Sequence, residues 1–392
     1  MKSNFRMISL VACVFLAVST IGNDGQAQPT RPSMMRVSSY ELGGTSALQA
    51  AALGEAFLKK FNIRVRTLPL GTDVGKVTSV RLGKTDLSLI AVPAGFFAQE
   101  GLYDFGEKNW GPQPLRTVYF NNKNSIFSPA TTKKSGIKTI ADLKGKRVPH
   151  VVGSPNDNVA MQAVLAFGGL TLKDVKSIEF HGYIAACRGL LEGLVDMALL
   201  DSMSSSTYEI EASPHGLYWI PMPPENKEGW ARLLKLYPLE HPEQSYTGAG
   251  LSKDKMVWAM CRPHPTVVTY PQSDQNLVYW FVKGCAESWD LYKDISIAMP
   301  TWNIAQMLKV HVPLPWAEGA VRYFKEKNLW TAQMEKDHNE LLERQKNLAN
   351  LWEESVSKSI DENIMDKDWY QYWEKRRNAA FPDFWTQMPI KK

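Results

Sequence analysis

Cysteine is scarce in this sequence, with 4 among 392 residues. Cys13 lies in an apolar amino-terminal run, and the other three are widely spaced at Cys187, Cys261 and Cys285. This odd count and wide spacing exclude a disulfide framework of the kind that stabilises small secreted domains. Cys261 and Cys285 either pair in an oxidising compartment or remain two buried thiols.

The sequence also lacks the motifs of common metal and catalytic sites. None of the seven histidines has a second histidine four residues away, and no Cys-x-x-Cys pair is present, so zinc-site spacing is absent. No G-x-S-x-G elbow, Walker loop or complete dinucleotide fingerprint occurs. We therefore expect no metal, no cofactor and no enzymatic activity. A secreted enzyme built on a binding fold is the less favoured alternative.

An excess of one charge is missing as well. The 45 Lys and Arg residues oppose 40 Asp and Glu residues, for a formal net charge of +5. The charges are spread along the chain, so neither a nucleic-acid surface nor a polybasic membrane patch is indicated. The apolar run at residues 7–18 is shorter than the ~20 residues that span a bilayer as a helix, and no later segment reaches that length.

The amino terminus has the pattern of an export signal. Lys2 and Arg6 precede the apolar run, and a small-residue cleavage site follows near Ala27. We therefore expect a periplasmic protein whose mature chain begins at Gln28. A bacterial lipoprotein box that ends at Cys13 is the alternative, and it would leave a lipid anchor on that residue.

The mature chain of about 365 residues is too long for one hydrophobic core, since single cores stop growing near ~250–300 residues. We predict two lobes, with a polar first crossing at residues 121–135 and a return near residues 219–224. The predicted boundaries are residues 1–27 for the signal peptide, 28–124 for the first part of lobe I, 125–222 for lobe II, 223–330 for the return segment of lobe I, and 331–392 for a Trp-rich helical extension.

Short β-branched runs alternate with helical periodicity from Ser38 onward, which is typical of α/β proteins with largely parallel sheets. The first helix has apolar residues at helical spacing from Ala50 to Phe61. Thr45 or Ser46 is expected to cap it, because a hydroxyl oxygen accepts from the free N–H groups of a first turn.

Two segments have the same pattern of residues. Gly83–Leu89 and Gly193–Leu199 share glycine, aspartate and leucine at identical spacing, each leaving a helix for a buried strand. The similarity indicates two matched halves or a coincidence that is common among α/β proteins. Asp86 and Asp196 are predicted to be helix-to-strand turn residues rather than a catalytic pair.

Four turns each end a strand and open a helix with small or hydroxyl residues. They are the first turn (Gly43–Ser46), the second turn (Gly71–Asp73), the third turn (Gly153–Asn156) and the fourth turn (Asp201–Ser205). The start of a helix presents unpaired N–H groups and a partial positive charge, which suit a carboxylate or phosphate. Ligands of open parallel sheets bind at the carboxyl ends of the strands, where these turns lie. If each lobe supplies two turns, the cleft between the lobes is the binding site.

Taken in order, these segments resemble the TAXI-type solute receptors of tripartite ATP-independent periplasmic (TRAP) transporters. The resemblance covers about residues 36–330, and its order and spacing are more specific than any one segment. The matching segments are Gly43–Thr45 with the helix that follows, Leu70–Asp73, Arg81–Ile90, Ser135–Val148, Gly153–Ser154 and Leu191–Asp196.

The resemblance implies a type II periplasmic-binding fold, in which two lobes close on a small carboxylate-bearing solute such as glutamate or 2-oxoglutarate. It also implies delivery of the solute to sodium-coupled TRAP membrane subunits. The alternative is a subunit of an ABC importer, or a sensor ectodomain, with the same fold. Carried over from the family, the ligand-binding residues are Gly44, Thr45, Ser46, Thr72, Val92, Pro93, Ala94, Ser154, Asn156, Asp157 and Ser202.

The chain departs from the family pattern at both expected contact turns. The family usually has an aromatic pair and a proline where this chain has Ser46–Gln49. Asn156–Asn158 adds a carboxylate, that of Asp157, beside the expected anion site, at a cost on the order of 1 kcal/mol or more for a ligand carboxylate. Either the ligand carries an amine or a polar neutral head, or Asp157 points away.

The carboxy-terminal tail also exceeds the common family length. It is helical and charged in pattern, and it is rich in tryptophan. Its tryptophans either cover lobe I or form a surface that pairs two subunits, so we expect a monomer or a dimer formed through this extension. The residues concerned are Trp330, Trp352, Trp369, Trp373 and Trp385.

Overall fold

The computed structural model describes residues 29–121, 124–311 and 313–382. The predicted signal peptide, Cys13 and Trp385 lie outside the described residues. Within the described part, no helix combines the length and the apolar character needed to cross a membrane.

Lobe I is built on a five-stranded mixed sheet. Its strands are β1 (Met34–Ser39), β2 (Arg64–Pro69), β3 (Leu87–Ile90), β4 (Arg116–Phe120) and β12 (Thr266–Thr269). They follow the spatial order β2-β1-β3-β12-β4. β1 pairs in parallel with β2 and β3, whereas β12 is antiparallel to β3 and β4.

Lobe II contains a second sheet and a separate strand pair. Its strands are β5 (Asn124–Thr132), β6 (Arg147–Val151), β7 (Lys176–Phe180), β8 (Ala198–Asp201), β9 (Leu217–Trp219), β10 (His241–Ser245) and β11 (Val257–Pro263). The sheet order is β10-β11-β5-β8, with β9 also paired to β5, and β6 pairs in parallel with β7.

The strand order of lobe I, with the late strand β12 inserted between β3 and β4, is that of the type II periplasmic-binding fold. The predicted fold class is therefore confirmed, with one correction. The sheets are mixed rather than largely parallel, because β5, β11 and β12 run antiparallel to their neighbours. β5 and β12 enter a lobe from the other lobe, so they run against the strands that βα units place in parallel, and β11 runs back along β10 within lobe II.

The first predicted crossing between the lobes is too long and the second is misplaced. β4 of lobe I ends at Phe120 and β5 of lobe II begins at Asn124, at the start of the segment predicted for the first crossing. The segment expected to be a polar connection contains strand β5, whose residues 126–130 are buried. The expected return near residues 219–224 is also wrong, because β10 and β11 hydrogen-bond into the sheet that contains β5. The chain thus passes back to lobe I between Pro263 and Thr266. The polar sequence of β10 fits an edge strand and hides it from hydrophobic patterning.

The helices surround these sheets. They are α1 (Thr45–Phe61), α2 (Asp73–Arg81), α3 (Val92–Glu100), α4 (Pro155–Phe167), α5 (Tyr183–Leu191), α6 (Ser205–Ala212), α7 (Lys227–Leu236), α8 (Gln275–Glu287), α9 (Trp289–Tyr292), α10 (Ile304–Met307), α11 (Glu318–Glu326), α12 (Ala332–Asp361) and α13 (Asp366–Ala380). Gly44 precedes α1 in extended conformation with no side-chain cap, so the prediction that Thr45 or Ser46 caps this helix is wrong. Both residues lie in its first turn.

Asp86 and Asp196 hold equivalent places in the two lobes. Asp86 accepts from the backbone N–H of Arg36 at 2.7 Å and from its Nη2 at 2.5 Å. Asp196 makes the same contacts with Arg147 at 2.8 and 2.6 Å. Each aspartate therefore fixes a helix-to-strand turn to a neighbouring strand, which is β1 for Asp86 and β6 for Asp196. Both are turn residues, as predicted, and the repeated sequence reflects a repeated structure.

The three described cysteines are buried thiols. Burial raises the pKa of the Cys187 thiol to about 12, so this thiol stays protonated near neutral pH. Of the two alternatives for Cys261 and Cys285, the structure has buried thiols.

The carboxy-terminal extension, α12 and α13, covers the segment that follows α3. The indole N–H of Trp369 donates to the carbonyl of Gly106 at 2.8 Å, and that of Trp373 donates to Gly101 at 2.7 Å. Both indoles are buried, and Trp352 packs closely against Gly111. These tryptophans therefore cover lobe I within one chain.

A buried carboxylate fixes the extension to α3. Glu100 is fully buried at the end of α3 and accepts from Arg344 at 2.6 Å and from Arg377 at 2.6 Å. Arg344 lies on α12 and Arg377 on α13, so one side chain binds both helices of the extension. Removing its charge would leave two guanidinium groups without their partner in a dry interface.

We predict that Glu100→Gln lowers the free energy of unfolding by about 3 kcal/mol, the usual loss when one partner of a buried ion pair is removed. Chemical denaturation of the full-length mature chain measures it. The matched control is Glu343→Gln, which removes only an exposed pair with Lys346 at 3.8 Å and should cost less than about 0.5 kcal/mol. Equal losses in the two variants would show that Glu100 does not fix the extension.

Candidate functional site

The first and fourth turns, one from each lobe, meet directly. The carbonyl of Gly43 accepts from the hydroxyls of Ser204 and Ser205 at 2.6 and 2.9 Å. Because Gly43 belongs to lobe I and the two serines precede and begin α6 of lobe II, these bonds join the lobes.

The second and third turns meet in the same way. The carboxylate of Asp73 accepts from the backbone N–H of Asn156 at 3.1 Å, and the carbonyl of Gly153 accepts from Val74 N–H at 3.1 Å. Asp73 begins α2 of lobe I, and Asn156 lies in the first turn of α4 of lobe II. The four turns predicted from the sequence therefore face one another in pairs, and the lobes are closed against each other.

Lobe I supplies acceptors to three helix starts of lobe II. Asp73 serves α4, the carbonyl of Gly43 serves α6, and Glu41 accepts from Ile184 N–H of α5 at 3.2 Å. Unpaired N–H groups at a helix start require such partners. The start of α1, after Gly44, has no side-chain cap and lines a cavity instead.

This cavity lies between the lobes and encloses about 400 Å³ of unoccupied space, counting the part that opens to solvent. The residues that line it are Tyr40, Gly44, Thr45, Ser46, Phe127, Asn156, Asp157, Tyr183, Asp201, Arg262 and His264.

Five of the predicted ligand-binding residues line this cavity, namely Gly44, Thr45, Ser46, Asn156 and Asp157. The other six do not, and they are Thr72, Val92, Pro93, Ala94, Ser154 and Ser202. The hydroxyl of Thr72 caps α2 by accepting from Gly75 N–H at 3.1 Å. Ser202 donates to the carbonyl of Thr247 at 2.9 Å. Their side chains thus stabilise the turns that frame the cavity.

Sequence analysis missed most of the aromatic and basic lining. Tyr183 packs between Tyr40 and Phe127, with ring centroids 6.4 and 6.0 Å away, and Tyr40 lies 5.8 Å from the ring of His264. His264 lies in the second crossing, which was predicted elsewhere in the chain, and Arg262 lies just before it in β11. A correct placement of β11 and β12 is the one signal that would have found them.

A buried cation and carboxylate lie behind the cavity wall. Lys76 Nζ is 3.5 Å from Asp73, and both side chains are fully buried. The ammonium also lies 2.8 Å from the centre of the Tyr40 ring, whose hydroxyl donates to Asp73 at 3.1 Å. Burial lowers the pKa of Lys76 to about 8, and the nearby carboxylates of Asp73 and Asp157 limit this shift.

A second buried ion pair, between Arg262 and Glu240, lies on the other side of the cavity. Arg262 donates to Glu240 at 2.6 Å, and its guanidinium lies 4.5 Å from the centre of the Phe127 ring. Burial raises the pKa of Glu240, while its bond to Arg262 opposes the rise. The pair fixes Arg262 in the wall, although its Nε makes no hydrogen bond within the described protein.

Four polar atoms on cavity-lining residues are buried without a hydrogen-bond partner in the described protein. They are Thr45 Oγ1, Asp157 Oδ2, Arg262 Nε and His264 Nδ1. Leaving such atoms unsatisfied costs about 1–3 kcal/mol each. The set includes a cationic donor and an anionic acceptor, and it comes from both lobes and from the crossing. The arrangement can bind a small polar molecule.

A family model described as the NMT1-like family matches residues 48–327. The chain belongs to the NMT1-like family. No curated protein sequence matches it.

Among solved structures, this NMT1-like protein is similar to the alkanesulfonate-binding protein SsuA from Xanthomonas axonopodis pv. citri bound to MOPS. The two are 15% identical over 77% of this chain and 96% of that one, with a TM-score of 0.41. An ancestral arginine-binding protein is 15% identical over 70% and 96%, with a TM-score of 0.40. PhnD1 from Prochlorococcus marinus with methylphosphonate is 12% identical over 81% and 100%, with a TM-score of 0.40.

Two residues that line the cavity, Ser46 and His264, are of the types that form a catalytic dyad. Ser46 Oγ lies 3.3 Å from His264 Nε2. A serine nucleophile needs a basic imidazole held by a third group on its other nitrogen. Here His264 Nδ1 has no described partner, and burial, with Arg262 and Lys76, holds the pKa of His264 well below its usual range. This imidazole is therefore a poor general base, and the pair suits hydrogen bonding to a ligand better.

Burial also raises the pKa of Asp157 to about 6, with a further contribution from Asp73. The folded protein therefore binds this proton more tightly than the unfolded chain does, and stability falls as the pH rises from about 4 to above 6. We predict that Asp157→Asn raises the free energy of unfolding at pH 7 by roughly 1–3 kcal/mol. The gain should disappear near pH 4, which thermal unfolding across pH measures.

The matched control is Asp196→Asn on the same lobe. Its hydrogen bonds with Arg147 lower the pKa of Asp196, so its stabilising contribution is present at pH 7 and is lost as the pH falls through that lowered pKa. This variant should lose stability at pH 7. If both variants change stability in the same direction, the buried charge of Asp157 does not destabilise the fold.

Proposed function

We propose that this protein is the extracytoplasmic solute-binding subunit of a bacterial importer. It captures a small carboxylate-bearing solute between its lobes, delivers it to a membrane permease and performs no chemistry. The proposal places the protein in the periplasm after removal of residues 1–27. The intact mass of protein recovered from the periplasm tests that export step.

The observation that carries this proposal is the cavity between the lobes, with unsatisfied polar atoms on its walls. Thr45 comes from lobe I, Asp157 from lobe II and His264 from the crossing. A molecule bound to all three holds the lobes together, because each lobe contributes atoms that only a shared ligand satisfies. Hinge closure around a solute uses this arrangement. The α1 start and Thr45 suit the carboxylate of the solute.

We further propose that the permease is of the TRAP type and that the protein is a TAXI-type receptor. This finer assignment is supported by the order of the segments from Gly43 to Asp196 that resemble that family. The ABC importer is the alternative within the same fold.

Ligand binding is tested first. A thermal-shift screen of amino acids, dicarboxylates, keto acids and aromatic acids should find a solute that stabilises the protein without being converted. At a concentration one hundred times its Kd, the solute should add about 2.7 kcal/mol. Thr45→Ala should weaken its binding roughly tenfold, through loss of one buried hydrogen bond.

The control for the ligand screen is Ser213→Ala, which removes a hydroxyl that donates to the carbonyl of Ile210 at the end of α6, outside the cavity wall. This variant should keep the affinity of the parent protein. A solute that is consumed during the assay would point to an enzyme, and unchanged affinity in Thr45→Ala would remove this cavity from the proposal.

The energy source of transport separates the two permease classes. Membrane subunits encoded beside this gene, reconstituted in vesicles with the purified protein, should import the solute when an inward sodium gradient is imposed. Import that instead requires internal ATP and persists without sodium would identify an ABC importer. Vesicles without the binding protein serve as the control in both cases.

A further inference from the structure

The surroundings of Asp157 determine what kind of group the solute must place beside it. The side chain is 8% exposed, and one carboxylate oxygen accepts from the side-chain amide of Asn156 at 2.9 Å. The other oxygen, Oδ2, is buried without a hydrogen-bond donor in the described protein. None of the ion pairs among the described residues includes Asp157. A buried carboxylate in this position needs a cation or a strong donor.

The buried charges around the cavity have a negative excess. Four carboxylates, those of Asp73, Asp157, Asp201 and Glu240, accompany two basic side chains, Lys76 and Arg262. Lys76 lies beside Asp73, and Arg262 is bonded to Glu240. His264 is neutral because its pKa lies well below the usual range. Both cations therefore bond to carboxylates other than Asp157, which Lys76 attracts only from beyond ion-pair distance.

The aromatic rings that line the cavity also favour a cationic group on the solute. Tyr40, Phe127 and Tyr183 line the cavity together with Asp157. The faces of aromatic rings attract cations, and the attraction is strongest where water is excluded. The protein already places Lys76 over Tyr40 and Arg262 over Phe127. The ring of Tyr183 packs between those of Tyr40 and Phe127.

Donors for an anion lie elsewhere in the same cavity. The open start of α1, Thr45 Oγ1 and Arg262 Nε are all on the wall, and the last two have no described partner. The cavity thus has a donor region and a separate acceptor, Asp157. A solute with only carboxylates satisfies the first and repels the second.

We propose that Asp157 is a specificity-determining residue that selects solutes carrying a cationic amine as well as an anionic group. This inference rests on the proposed function and deepens it. The amine donates to Asp157 Oδ2 among the aromatic rings, while the anionic group binds at the start of α1. Solutes that have a hydroxyl in place of the amine bind more weakly because they leave the buried carboxylate without a cation.

The test uses matched pairs of probes that differ only at the amine, namely L-amino acids and the 2-hydroxy acids with the same side chains. Calorimetric titration of the full mature protein should give affinities for the amino acid roughly 10- to 100-fold above those for its hydroxy partner. In Asp157→Asn this preference should fall to within about threefold, mainly through loss of amino-acid affinity. Asp157→Glu, which keeps the charge, should restore part of the preference.

Asp196→Asn is the matched control, because it removes a carboxylate of lobe II that does not line the cavity. It should keep the full preference. Parent protein that binds both members of each pair equally, or an Asp157→Asn variant that keeps the preference, would overturn the role of Asp157 and leave solute binding intact. Binding of neither member of any pair, in a protein that binds other acids, would also overturn the inference. If no solute of any class bound, the proposed function itself would fall.

Discussion

Helix starts that meet between the lobes need hydrogen-bond acceptors, and this need organises the centre of the molecule. Each lobe brings the carboxyl ends of its strands, and therefore the starts of its helices, to the boundary between them. Lobe I supplies these acceptors. Asp73, Glu41 and the carbonyl of Gly43 accept hydrogen bonds from the starts of α4, α5 and α6. Three helix starts suited to an anionic solute are thereby filled by the protein itself, and the start of α1 is left facing the cavity.

The same arrangement explains why charged groups are buried at the boundary. Asp73, the buried carboxylate that accepts from the start of α4, forms an ion pair with Lys76, and Arg262 forms one with Glu240. Asp157 has no ion-pair partner among the described residues, and burial raises its pKa to about 6 although Lys76 partly opposes the rise. A group that destabilises the empty fold and faces a cavity has the features of a binding residue, since a ligand of the right charge recovers the lost free energy.

The extension gives lobe I a stabilising layer at a distance from this boundary. Glu100 ends α3 and binds α12 and α13 through two arginines, while Trp369 and Trp373 satisfy carbonyls in the segment after α3. Helix α3 also packs against α4 of lobe II, with Phe97 near Tyr237. The extension therefore braces a helix that contacts both lobes.

The sequence by itself determined the βα alternation and the four turns, because these depend on local periodicity and on glycine and hydroxyl residues next to each other in the chain. The type II fold followed from the resemblance of these segments, in their order, to a known family. It also determined the roles of Asp86 and Asp196, each fixed by its turn. Only the tertiary structure decided which turns face each other, that β10 and β11 stay in lobe II, and that Arg262 and His264 reach the cavity. Those features depend on pairings between residues far apart in the chain, such as Asn156 with Asp73 and Cys261 with Ile126. No local pattern encodes such a pairing, and the polar β10 gave hydrophobic patterning nothing to follow.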